Sequence, residues 1–165
     1  MKLCTLLLVL SFYCTLSAQQ KFLGITYDKV IMYEYDGGKE GELTIVDEKG
    51  NFAKTVSKQV VLDERIIAEL NKKLTDKKSF GAAEAFCYEP RLGFVYFLNG
   101  KIVGKTDVCL MCNRLRSSFN LDAQKQGKQT NDGEVYYIAM GMSAEFKLWL
   151  NQLIKSAGFK FVLKN

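Results

Sequence analysis

The sequence predicts a single α+β domain in which an antiparallel sheet of about five strands is packed by two helices. Two runs of aromatic and β-branched residues flank Asn99-Gly100, a dipeptide that tolerates the positive φ angles of a type I′ hairpin turn. Apolar residues recur at helical spacing after Asp63 and again after Ser143, and either residue type is able to cap a helix. These observations predict a central hairpin and two amphipathic helices around one core.

The N-terminus has the pattern of a secretory signal. Lys2 precedes an apolar run from Leu3 to Leu16, and small residues follow at Ser17 and Ala18. Cleavage is therefore expected near Ala18, which divides the chain into a signal peptide (1–18) and a single α+β domain (19–165). A membrane anchor would need roughly 20 apolar residues, and lipid attachment at Cys14 is disfavoured by bulky neighbours. We expect a secreted or periplasmic protein with no transmembrane segment after cleavage.

Charge and composition exclude several classes of function. The 165 residues carry a formal net charge of +5, which becomes +4 once Lys2 leaves with the signal. This excess is spread along the chain and forms no basic block, so no nucleic-acid partner is expected. The chain contains no histidine. A Ser-His-Asp triad, a Cys-His dyad, histidine metal ligands and covalent haem attachment are thereby excluded.

The first third of the mature chain predicts an antiparallel meander. Residues 27–36 are rich in tyrosine and β-branched residues and end at Gly37-Gly38, so they predict a first strand. Residues 43–46 predict a second strand. After a turn at 48–51, residues 52–61 predict a third.

Two helices are predicted from capping residues and apolar spacing. Asp63 caps the first, which runs through Leu74. Ser143 caps the second, and Gly158 supplies its left-handed stop. Their buried faces are expected to hold the following apolar residues: Ile66, Ile67, Leu70 and Leu74 in the first helix, and Phe146, Trp149, Leu150, Leu153, Ile154 and Ala157 in the second.

The central hairpin sets a register that brings three cysteines together. If Leu98 pairs with Lys101, every pair of facing residues sums to 199, so Val95 faces Gly104 and Cys87 faces Cys112. Apolar residues occur on both faces of the hairpin, which predicts a central position in the sheet. Beyond Cys112 we expect a short helical turn over 113–119, a polar surface loop over 120–133 and a short strand over 134–139.

The candidate site consists of Cys87, Cys109 and Cys112, because Cys4 and Cys14 leave with the signal. An odd number of cysteines leaves at least one thiol unpaired within the monomer. In the structural interpretation, Cys87 pairs with Cys109 or Cys112 and ties the base of the hairpin, while the third sulfur is buried or bridges to another chain. Closing a loop of roughly 22 to 25 residues stabilises the fold by about 3 kcal/mol in the chain-entropy model.

Two further interpretations use the same sulfurs. In the first, Cys87, Cys109 and Cys112 bind zinc as thiolates, and Glu89, Asp107 or water supplies the fourth ligand. In the second, Cys109-Leu-Met-Cys112 carries out thiol–disulfide chemistry, which requires the first sulfur at a helix N-terminus to lower its pKa. Arg91 and Glu89 lie beside the cluster, and we interpret them as the solvated ends of the hairpin in preference to a polar site.

The cysteine segments resemble a group of uncharacterised small secreted bacterial proteins. The matching stretches are Cys87-Tyr-Glu-Pro-Arg-Leu-Gly-Phe-Val-Tyr-Phe and Val108-Cys-Leu-Met-Cys-Asn, a C-x-x-P-x-x-G pattern followed by C-x-x-C-N. In that group a histidine often precedes the glycine, where this chain has Leu92. The resemblance implies that the three cysteines act as a unit, and it implies no particular activity.

We therefore expect a non-enzymatic binding or structural protein built on a cysteine-stabilised hairpin. No assembled acid–base or nucleophile set is recognisable in the sequence, which is the observation behind this expectation. The expected partner is a protein or an envelope component, and no cofactor is expected. The alternative is a metal-binding or thiol-redox protein that uses Cys87, Cys109 and Cys112, with zinc as the metal.

Overall fold

The computed structural model describes residues 19–39 and 41–162. The predicted signal peptide lies outside the described residues. The chain forms the following elements in order: β1 (Gln20–Phe22), β2 (Ile25–Tyr27), β3 (Lys29–Glu34), β4 (Lys58–Val61), α1 (Glu64–Thr75), β5 (Phe80–Ala82), β6 (Leu92–Leu98), β7 (Lys101–Cys109), β8 (Arg114–Ser117), β9 (Lys125–Asn131), β10 (Glu134–Ala139), β11 (Gly141–Met142) and α2 (Ala144–Ser156).

The main sheet has five antiparallel strands in the order β4-β3-β6-β7-β8. This sheet and the two helices confirm the predicted α+β fold class. The central position predicted for the hairpin of β6 and β7 is also confirmed, because β3 and β8 flank it. Three small two-stranded sheets, β1-β2, β5-β11 and β9-β10, complete the part of the chain that the structure describes.

Each face of the main sheet packs against a different layer. One face carries Met32, Phe94 and Val108 and packs against both helices. The opposite face carries Val95, and the loop of residues 35–57 crosses it, placing Ile45 against the sheet. The alternation of side chains along each strand separates the two layers.

Both helices begin at their predicted caps. The Asp63 side chain accepts a hydrogen bond from the Ile66 amide at 2.9 Å, and the Ser143 hydroxyl accepts one from the Phe146 amide at 3.3 Å. Gly158 ends α2 with a φ of 65°. The apolar faces that the spacing predicted pack into the core. Trp149 packs partly buried against that core, as predicted, and its indole N–H donates to Glu69.

The register of the central hairpin departs from the prediction by one residue. Pairs sum to 199 only as far as Phe97 and Ile102; Tyr96 then faces Gly104, so Val103 is an extra residue in β7. Val95 consequently faces Lys105 and not Gly104. A β-bulge of this kind shifts all later pairs, which a count from the turn does not detect.

Several predicted elements were wrong. Residues 43–46 form no strand, since only an isolated bridge joins Val46 to Phe52, and the third strand is limited to 58–61. Residues 113–119 contain strand β8 and not a helical turn, because Asn113, with a φ of 54°, reverses the chain onto β7. Half of the predicted polar loop, residues Lys125–Asn131, is strand β9, which pairs with the predicted strand β10.

The hairpin of β9 and β10 turns at Asp132-Gly133, both at positive φ. Its strand β10 is exposed along its whole length. None of the helices in the described parts of the chain is long and apolar enough to cross a membrane.

Candidate functional site

The structure places the three predicted cysteines at one end of the main sheet. Cys87 and Cys112 form a disulfide across a sequence separation of 25, with their Cα atoms 5.5 Å apart. Cys109 keeps a free thiol that is only 1% exposed. The amide of Cys112 donates a hydrogen bond to the Cys109 sulfur at 3.3 Å. This arrangement contains the disulfide of the structural interpretation, with the third sulfur buried.

The disulfide joins an irregular segment to the turn between β7 and β8. The Ala85 amide donates to the Cys112 carbonyl at 2.9 Å, and the Asn113 side-chain amide donates to the Ala83 carbonyl at 2.9 Å. Arg114 forms an ion pair with Glu84 at 2.8 Å. The segment before Cys87 is therefore held to the turn by hydrogen bonds as well as by sulfur.

Asp107 lies two residues before Cys109 on β7 and forms a buried network with the loop of residues 35–57. Its carboxylate accepts hydrogen bonds from the Tyr35 hydroxyl, the Thr44 hydroxyl and the Ile45 amide, each at 2.8 Å. Burial raises the pKa of Asp107, while these donors act in the opposite direction. The network fixes the loop on the sheet face opposite the helices.

Two tyrosines surround this carboxylate. Burial is the main cause of the raised pKa of both Tyr35 and Tyr88, and the nearby charge of Asp107 adds to it. The Tyr88 ring packs 4.0 Å below the guanidinium of Arg116. Both phenols therefore remain protonated at neutral pH. The Tyr35 hydroxyl donates to Asp107, whereas the buried Tyr88 hydroxyl has no hydrogen-bond partner among the residues that the structure describes. A raised phenol pKa is the opposite of what activates a tyrosine oxygen as a nucleophile.

An apolar pocket lies on the other side of the sheet, next to the disulfide. Its volume is about 430 Å³, within the range of small-molecule sites. Seven of its nine lining residues are apolar, and they come from β6, β7, the turn after β7, α2 and the C-terminal segment: Leu92, Val108, Leu110, Met111, Ile154, Phe161 and Val162. Leu110 and Met111 are the two residues between Cys109 and Cys112.

The charged residues of the pocket are Glu89 and Arg91. The guanidinium of Arg91 packs 4.4 Å from the centre of the Phe161 ring and pairs with Asp36 at 3.2 Å and with Glu89 at 3.5 Å. Because a guanidinium has five N–H donors, these contacts orient it and leave donors free. Arg91 is thus a fixed polar group in a pocket that is otherwise mostly apolar.

The pocket was not predicted from the sequence, and the surroundings expected for Asp107 differ from those in the structure. The sequence placed Asp107 among possible zinc ligands, whereas the structure surrounds its carboxylate with hydrogen-bond donors. Glu89 was interpreted as a solvated hairpin end; its side chain is 54% exposed, and it also lines the pocket with Arg91. The available signal was the alternation along β7, which places Asp107 and Cys109 on one face and Val108 on the other.

The zinc interpretation needs three thiolates, and this arrangement presents one thiol. Cys87 and Cys112 share a disulfide, so neither sulfur has the charge that binds zinc. Among the residues that the structure describes, no group of three or more Cys, Asp or Glu side chains is placed to hold a metal ion. The donor set in its present state does not fit the metal.

Comparisons with protein-family models, with curated proteins and with solved structures give no match. The proposed function therefore rests on the geometry of the site.

Proposed function

We propose that this protein is a non-enzymatic binding protein of the secreted or periplasmic compartment that holds a small amphiphile in the pocket beside its disulfide. The observation that carries the proposal is the apolar pocket of about 430 Å³, whose lining, among the residues that the structure describes, has charged side chains only at Glu89 and Arg91. Ligand sites typically combine apolar walls with a few fixed polar groups. The proposed ligand is a small amphiphile, whereas the sequence led us to expect a protein or envelope partner.

The pocket lining supports an amphiphile over a wholly polar ligand. Aliphatic and aromatic walls favour an acyl chain or ring, because each buried methylene contributes about 0.8 kcal/mol. Arg91 is already oriented by Asp36 and Phe161, so it can donate to an oxygen of the ligand head group at little entropic cost. The ligand is therefore an apolar body with a head that accepts hydrogen bonds.

The disulfide supports the proposed secreted or periplasmic location. Disulfides persist in oxidising environments such as the periplasm and the extracellular space and are rare in the reducing cytosol. The Cys87–Cys112 bond and the N-terminal signal pattern point to the same environment.

Titration with N-phenylnaphthylamine tests the proposal, because this uncharged dye becomes fluorescent in apolar surroundings. We expect saturable binding that decanol displaces. Met111 lines the pocket and is 75% exposed, so Met111→Glu places a charge in the wall with little cost to folding. We expect this variant to bind the dye about tenfold more weakly, which corresponds to about 1.4 kcal/mol.

Leu148→Glu is the matched control. Leu148 is also an exposed apolar residue, at 52%, but it lies on α2 away from the pocket lining. We expect it to bind the dye like the unaltered protein. Absence of saturable binding would overturn the proposal, as would equal dye affinity in Met111→Glu and Leu148→Glu.

A further inference from the structure

The three sulfurs differ sharply in their access to solvent. Cys112 is 2% exposed and Cys109 is 1% exposed, whereas Cys87 lies in an exposed segment next to the fully exposed Phe86. The site of attack in thiol–disulfide exchange depends on which sulfur the attacking thiolate can reach. An external thiolate can reach Cys87, while the Cys112 sulfur is open only to a nucleophile inside the protein.

Cys109 is placed to be that internal nucleophile. Its sulfur accepts the hydrogen bond from the Cys112 amide at 3.3 Å, which holds it against the residue that carries the disulfide. The two cysteines flank Leu110 and Met111. A hydrogen bond from the Asn113 amide to the Leu110 carbonyl closes the turn that directly follows Cys109 and contains Cys112.

We propose that Cys109 and the Cys87–Cys112 disulfide form an intramolecular thiol–disulfide exchange site. The Cys109 thiolate attacks the Cys112 sulfur, so a Cys109–Cys112 bond forms and the Cys87–Cys112 bond breaks. The electron pair of the broken bond leaves on Cys87, which takes up a proton equivalent to the one that Cys109 released. One disulfide and one thiol are present before and after, so no external oxidant or reductant is needed.

The surroundings of the leaving group favour this direction of attack. Cys87 departs into solvent, where a thiolate is well hydrated, and the new disulfide remains buried. The backbone before and after Cys87 stays hydrogen-bonded to β7 and the turn that follows it. The Ala85 amide donates to the Cys112 carbonyl, and the Arg91 amide donates to the Val108 carbonyl. Exchange therefore releases the Cys87 sulfur while Tyr88 stays packed on Arg116 and Glu89 stays paired with Arg91, and it presents a thiol next to the exposed ring of Phe86. This thiol can react with disulfide-containing or electrophilic molecules that the original state excludes.

Alkylation of the folded protein tests the exchange. The purified protein is incubated with iodoacetamide at mildly alkaline pH for many hours, since uncatalysed rearrangement takes minutes to hours. It is then digested without reduction, and mass spectrometry assigns each label and each disulfide. We expect the label on Cys87 together with a Cys109–Cys112 disulfide. In Cys109→Ser, which keeps the original disulfide and lacks the internal nucleophile, we expect labelling of Cys87 to be lost.

The position of the label separates exchange from unfolding. Global unfolding exposes the buried thiol, so it places the label on Cys109 and leaves Cys87–Cys112 intact. That result overturns the proposal, and so does complete absence of label on Cys87. Equal labelling of Cys87 in the protein and in Cys109→Ser also overturns it, because the route would then not pass through Cys109. None of these outcomes depends on ligand binding in the pocket.

Discussion

Removal of the Asp107 carboxylate is expected to destabilise the fold strongly. Asp107 is 4% exposed and accepts hydrogen bonds from Tyr35, Thr44 and Ile45. In Asp107→Ala the Tyr35 hydroxyl and the Ile45 amide remain buried without an acceptor, and each unsatisfied buried group costs about 1 to 3 kcal/mol. The two together predict a loss of about 2 to 6 kcal/mol in the free energy of unfolding, a large share of the stability of a domain this size.

Urea unfolding followed by the fluorescence of Trp149 measures this loss. Asp47→Ala is the matched control, because the Asp47 carboxylate also accepts hydrogen bonds from backbone amides, those of Lys49 and Asn51, but on the exposed surface. Water replaces these bonds when the carboxylate is removed, so a much smaller loss is expected. Equal losses in the two variants would refute the claim that burial of the Asp107 network determines its contribution.

The pH dependence of stability tests the same carboxylate. Burial raises the pKa of Asp107, so the folded protein holds this proton at pH values where the unfolded chain has released it. Its contribution to stability is therefore fully present below the unfolded pKa of about 3.9 and is lost as the pH rises through the folded pKa. Relative to Asp107→Asn, the unaltered protein should lose stability over this window. A relative gain with rising pH would show that the hydrogen bonds to the carboxylate outweigh its burial.

Three other substitutions probe packing, the disulfide and the exposed hairpin. Cys87→Ala opens a loop with a sequence separation of 25 and should lower the free energy of unfolding by about 3 kcal/mol in the oxidised protein; under reducing conditions the difference should disappear. Gly93→Ala places a Cβ 2.7 Å from the Cβ of buried Ile45 and should cost about 1 to 3 kcal/mol in urea unfolding. Tyr137→Lys changes a side chain of β10 that is 56% exposed, so the urea midpoint should shift by less than the equivalent of about 0.5 kcal/mol. A large loss in this last variant would mean that β10 is part of the core.

Elements defined by local chemistry could be predicted from the sequence. Both helices follow from a capping residue and apolar spacing within a dozen positions, and the Asn99-Gly100 turn has φ angles of 50° and 76°. The hairpin of β9 and β10 was missed because its polar composition suggested a loop. Its turn signal, Asp132-Gly133, was nevertheless present in the sequence.

Elements defined by distant contacts could not be predicted in the same way. Ile45 alternates like a strand residue, yet its amide donates to the Asp107 side chain, 62 positions away, and not to a neighbouring strand. The bulge at Val103 likewise depends on how β7 packs as a whole. The pocket joins five separate parts of the chain, so no single stretch of sequence contains its pattern.

The three sulfurs show where prediction from the hairpin succeeded and where it ended. The turn at Asn99-Gly100 was enough to bring the three cysteines close together. Which cysteine pairs with Cys87 depends on the turn after β7, which places the Cys112 sulfur against Cys87 and leaves Cys109 buried. That turn also places Leu110 and Met111 in the wall of the pocket. The Cys87–Cys112 bond therefore lies next to two residues of the pocket wall, and a change in cysteine pairing would alter the turn that carries them.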